Sequence, residues 1–161
     1  MIAAIFLSIV QLSLAVVLSA LAAYLGAWVF NRSTPSLDEW AELRKGNPAV
    51  GVVMGAVIVG VAIILRPALQ VITLQLDAGA TLEVMWRLLA QALLVAVGLV
   101  LSLAIITFAL WLFTHLTGEL DEWAEIGKGK VGVAVLLAGV ILATALLSGA
   151  ALDSVLKLLF P

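Results

Sequence analysis

The sequence predicts an all-α integral membrane protein with four transmembrane helices. They form two helical hairpins in a parallel repeat, each with a short amphipathic interfacial helix in its loop. Three observations lead there. Of the 161 residues, 65% are hydrophobic and 11% are charged, whereas a soluble domain runs near half apolar and a quarter charged. The apolar residues gather into four stretches, each near or above the roughly 20 residues that cross the hydrocarbon. The segment Leu37-Asp38-Glu39-Trp40-Ala41-Glu42 returns as Leu120-Asp121-Glu122-Trp123-Ala124-Glu125, a shift of 83 positions (38 to 121).

The first stretch, Ile2 to Phe30, carries no charge. Ala20-Leu21-Ala22 resembles a signal-peptidase site, but no basic residue precedes the run and the run is too long, so a retained span is expected. The second stretch runs from Pro48 to Leu65 and is expected to end at Arg66-Pro67. The third runs from near Leu88 to Phe113, and the fourth from Val131 to about Leu152. The intervening polar segments, 31–47 and 114–130, are rich in charge. Each charge would cost about 2.5–3.5 kcal/mol at the bilayer centre, so both segments belong in water or at the headgroups. Trp28, Trp40, Trp86, Trp111 and Trp123 all fall at the expected interfaces.

Lysine and arginine placement sets the orientation. Arg32, Arg44, Lys45, Lys128 and Lys130 lie in the two polar segments, against Arg66, Arg87 and Lys157 at the other end. The excess puts both segments in the cytoplasm and both termini outside. The whole chain, 1–161, is then one membrane domain built from an internal repeat, 1–76 and 84–161. A hairpin returns the chain to its starting side, so the halves are parallel, related by a pseudo-twofold axis along the membrane normal.

The repeat also marks packing faces. Gly51 and Gly55 align with Ala134 and Ala138, and Ala15 and Ser19 align with Gly98 and Ser102. Small residues four apart let helix backbones approach closely, within a chain or between subunits. In the first polar segment, Ser36 followed by Glu39 reads as a capping box. Acids fill the first turn, Arg44 and Lys45 the last, and Gly46 stops the helix. Asn47 and Pro48 then open the second span. The second interfacial helix is expected over Glu119 to Lys128, capped by Thr117 or Gly118.

At these residues the chain resembles a known family. Thr34-Pro35, Glu39-Trp40, Leu43, Asn47, Ala49 and Gly55 are similar to the motif of the small bacterial inner-membrane proteins of the YjfL type, called domain of unknown function 350. The second copy departs from the motif, with Gly118 in place of the proline and Lys130 in place of the asparagine. The resemblance implies a four-span bacterial inner-membrane protein without a settled activity. It hints at envelope stress or membrane maintenance.

No catalytic motif is present, and an enzyme is not expected. The chain has no cysteine and a single histidine, His115, which excludes thiolate chemistry and multi-histidine metal sites within one chain. A net charge of −2 makes no case for nucleic acid. The acids Asp38, Glu39, Glu42, Asp121, Glu122 and Glu125 could face one another and attract calcium or magnesium, or gather cations at a pore mouth. Helix capping accounts for them without a ligand, so no cofactor is expected. Arg66 has no counterpart in the repeat and is the one candidate functional charge, able to snorkel, to meet an anion, or to pair with Asp77 or Glu83. The reading that follows is a non-enzymatic, homo-oligomeric assembly in membrane lipid, with a docking surface for a cytoplasmic or membrane protein. The alternative is an oligomeric ion or small-solute channel.

Overall fold

The computed structural model describes residues 2–34, 37–70, 81–118 and 121–159. Six helices account for the secondary structure, with no strand among the described residues. They are α1 (Ile2–Ser33), α2 (Glu39–Arg44), α3 (Pro48–Gln70), α4 (Thr81–Leu116), α5 (Glu122–Gly127) and α6 (Val131–Leu159). Among the described residues three stretches are long and apolar enough to cross a membrane: Pro48–Leu69, Ala92–Leu116 and Val131–Leu158. Val16–Arg32 adds a shorter apolar stretch in α1. The predicted break at Arg66-Pro67 does not occur: α3 continues through Pro67 to Gln70.

Packing is centred on α3. Its most extensive contact is with α6, and α1 and α4 both lie against it. Buried residues therefore run around much of α3, including Val50, Val53, Val57, Val61, Ile64, Leu65 and Ala68. On α6 the buried residues form one stripe, with Ala134, Leu137, Ala138, Ile141 and Ala145, the spacing of a single helical face. Gly60 marks where three helices meet. A Cβ there would stand 2.9 Å from Ile106 Cδ1 on α4 and 3.2 Å from Ile141 Cγ2 on α6.

The predicted small-residue faces separate into packed and open positions. Gly98 is pressed against Ala68, and Ser102 is buried with its hydroxyl donated to the Leu99 carbonyl at 2.8 Å. Ala134 and Ala138 lie in the core, and Gly51 faces Leu43. Gly55 and Ser19, by contrast, are exposed, and a Cβ at Gly55 would meet open space, because α3 turns its other faces to α1, α4 and α6. Ala15 lies outside the residues whose side chains are described, as do Gln11, Glu83, Arg87 and Gln91.

The two helix pairs close differently. Between α1 and α3, Ala22, Gly26 and Phe30 are buried, with Gly26 close to Val57 and Val61. Between α4 and α6 lies a groove of about 550 Å³ walled by Ile105, Phe108, Leu112, Val140 and Thr144, among others.

Candidate functional site

Polar chemistry concentrates where α2 and α5 meet. Each is a six-residue helix with an acid at its N-cap. Asp38 Oδ1 accepts from the Ala41 amide at 3.0 Å, and Asp121 Oδ1 from the Ala124 amide at 3.1 Å. These aspartates displace the predicted caps: the helices start at Glu39 and Glu122, not near Ser36 or Glu119, because an aspartate caps as well as a serine and sits closer to the apolar turn. Pro35, Ser36 and Glu119 lie outside the described residues.

Both helices end in the same way. Gly46 and Gly129 adopt φ of 80° and 82°, the left-handed region that glycine enters without steric cost. The Gly46 amide donates to Leu43 O at 3.0 Å and the Asn47 amide to Glu42 O at 3.0 Å. Gly129 and Lys130 repeat this on Ile126 and Glu125, at 2.9 and 3.1 Å. This pair of bonds is the Schellman pattern, which satisfies the last free carbonyls.

A few contacts tie the first half of the chain to α5. Asn47 Oδ1 accepts from the Ala49 amide at 3.0 Å and so caps α3, while its Nδ2 donates to the carbonyls of Ile126 (3.0 Å) and Gly127 (3.2 Å) at the end of α5. The same Nδ2 lies 3.2 Å from Glu42 Oε2. Leu37 packs over Gly127, where a Cβ would stand 3.1 Å from Leu37 Cδ1. Phe30 meets Trp123 edge-on with centroids 5.7 Å apart. Trp123 is thus turned inward, while Trp28, Trp40, Trp86 and Trp111 stay exposed.

The six acids take three separate jobs, so they do not form the shared cluster that the sequence suggested. Asp38 and Asp121 are caps. Glu42 binds Lys45 Nζ at 2.6 Å, and Glu125 binds Lys128 Nζ at 2.8 Å and also Lys130. The Lys45 ammonium and the Asn47 amide hold the Glu42 carboxyl below the usual carboxylate range. Lys128 and Lys130 do the same for Glu125. Glu39 and Glu122 turn inward and are buried. Among the described residues no group of three or more His, Cys, Asp or Glu side chains could hold a metal ion.

The inward carboxyls are the feature that sequence reasoning missed. Thr34 Oγ1 bonds Glu39 Oε1 and lies 2.9 Å from Phe30 O. Thr117 Oγ1 bonds Glu122 Oε1 and lies 2.9 Å from Phe113 O. The available signal was a threonine five residues before a glutamate in both halves, at the same 83-residue shift (34 to 117, 39 to 122).

Far from this platform, Arg66 is exposed and lines a cleft of about 440 Å³ with Asp153 and Lys157. Asp153 pairs with Lys157 at 2.6 Å. Asp77 lies outside the described residues. His115 is exposed, its ring 4.6 Å from that of Trp111.

In comparisons with known proteins, residues 3–152 match the family described as Domain of Unknown Function (DUF350). No curated protein and no solved structure gave a significant match. With a match across nearly its whole length, the chain belongs to the DUF350 family.

Proposed function

We propose that the chain is a non-enzymatic, multi-pass protein of the bacterial inner membrane that works by assembly. Copies associate through their lipid-facing helices, and the joined α2–α5 platform receives a cytoplasmic or membrane protein. Envelope stress or membrane maintenance is the setting that fits the family. The observation that carries this reading is the tie from Asn47 to the Ile126 and Gly127 carbonyls. It supports polar segments at one common end, and with it two hairpins of like orientation. The lysine and arginine excess supports that end as cytoplasmic, with both termini outside. On the platform Trp40 is 51% exposed beside exposed Asp38, Arg44 and Lys45, a mixture of aromatic and charged groups suited to a protein contact.

The channel reading would need a path between chains. Around Gly60 the centre of one chain is filled by Ile106, Ile141 and Ala145, and aliphatic packing leaves no wet route there.

Two measurements test the proposal. Native mass measurement in lipid nanodiscs is expected to give an oligomer, and a stable monomer alone overturns the assembly. Single cysteines replacing Arg44 and Lys128 are expected to react with an impermeant thiol reagent in inverted vesicles and stay protected in spheroplasts. Reaction of the two on opposite sides overturns the parallel hairpins.

A further inference from the structure

Glu39 is fully buried, and its Oε2 has no hydrogen-bond partner. Its other oxygen meets the Thr34 hydroxyl, which also lies 2.9 Å from the Phe30 carbonyl in the last turns of α1. A hydroxyl has one hydrogen, and a carbonyl and a carboxylate are both acceptors. If Glu39 were ionised, the hydroxyl could satisfy only one of them, and a negative charge would sit on a buried oxygen with no donor, which is strongly unfavourable. If Glu39 is a carboxylic acid, its O–H donates to Thr34 Oγ1, and Thr34 donates to Phe30 O. Every hydrogen in the relay is then used. Thr117 makes the same two contacts, with Glu122 Oε1 and Phe113 O, at the end of α4.

We propose that Glu39 is a proton-binding site that latches the first interfacial helix, the neutral acid fastening α2 to the end of α1. When the proton passes to water, the ionised carboxylate leaves its buried place and carries the first turn of the helix outward.

The surroundings of Glu39 favour the acid. Next to it in the chain the N-cap Asp38 is a second acid, and Glu42 on the same helix is engaged by Lys45. On α1 the exposed Arg32 makes no ion pair with it, the first half of α3 carries no charge, and on α5 the acids are capping, buried or lysine-paired. Burial pushes the Glu39 carboxyl up, its own backbone amide lowers it somewhat, and Asp38 raises it further. The latch stands apart from the docking role above, since a monomeric chain would have it too.

Infrared spectroscopy of the intact protein in lipid tests the proton directly. At neutral pH a protonated-carboxyl stretch is expected that is lost in Glu39→Gln. Its absence from the natural protein overturns the proposal. The mechanical half uses the absence of native cysteine. Labelling of Leu37→Cys, relative to the exposed Arg44→Cys, is expected to rise severalfold from neutral to alkaline buffer and to stay low when Glu39→Gln is added. A flat ratio in the Glu39 background, or an equal rise with Gln at 39, overturns the latch.

Discussion

Gly149 sits where α6 lies against the backbone of α3. A Cβ at this position would stand 3.1 Å from the Ile63 carbonyl oxygen. That carbonyl is four residues before Pro67, which has no N–H to offer it. The oxygen that the proline leaves without an N–H faces a glycine and not a side chain. Backbone cannot move aside as a flexible side chain can, so Gly149→Ala is expected to destabilise by about 1–3 kcal/mol, the usual cost of overpacking. Gly55→Ala and Gly139→Ala meet open space and are expected to be neutral or slightly stabilising, since alanine is the better helix former. Unfolding in mixed micelles, followed by circular dichroism, compares the three. In the sequence Gly149 stands out only as the uncharged residue at the repeat position of Arg66 (66 to 149). Its role depends on the neighbouring helix, which no local pattern encodes.

At the scale of the helix, α2 and α5 were legible where one residue type has one role. Gly46 and Gly129 stand at left-handed positions, and replacing either by alanine is expected to cost about 1–2 kcal/mol. Loss of helix-end protection in hydrogen exchange checks it. The start was less legible, because Ser36-x-x-Glu39 and Asp38-x-x-Ala41 overlap and both fit a cap. The inward turn of Glu39 was not legible at all, since acids at a helix start normally point to water. Acid has a definite effect on this element. Glu42 is held below the ordinary value of 4.5 by Lys45 and Asn47. Its stabilising contribution is therefore present above that value and is lost as pH falls through the lower folded value. Amides of residues 45–47 are expected to exchange faster in strong acid and to lose this acid step in Glu42→Gln. Unchanged acid sensitivity in that variant would count against the Glu42 bonds as its source. Glu39 has the opposite sign, favouring the folded state in acid and weakening it as pH rises.

Over the whole molecule, the two halves share a pattern and differ in surroundings. Asn47 ties α2 to α5, whereas Lys130, its repeat partner, pairs with Glu125 on its own side. One substitution thus breaks the equivalence at the polar end. In the apolar region α4 packs on both α3 and α6, while α1 packs on α3 without a comparable contact on α6. Ile64 and Leu147 occupy the same place in the repeat (64 to 147, a shift of 83). Ile64 is fully buried, and Leu147 is 75% exposed. Hydropathy could not separate them, because lipid and a helix core are equally apolar surroundings. Substitution can. Ile64→Ala opens a cavity among packed neighbours and is expected to cost about 2–5 kcal/mol. Leu147→Ala gives up contact with lipid alone and is expected to leave unfolding in micelles nearly unchanged. If Leu147 instead faces a neighbouring copy, its truncation shifts the oligomer toward smaller species in lipid while the fold stays intact. A large loss of fold stability from Leu147→Ala, matching that from Ile64→Ala, would mean that α6 is as fully enclosed as α3 and that the arrangement around α3 described above is wrong.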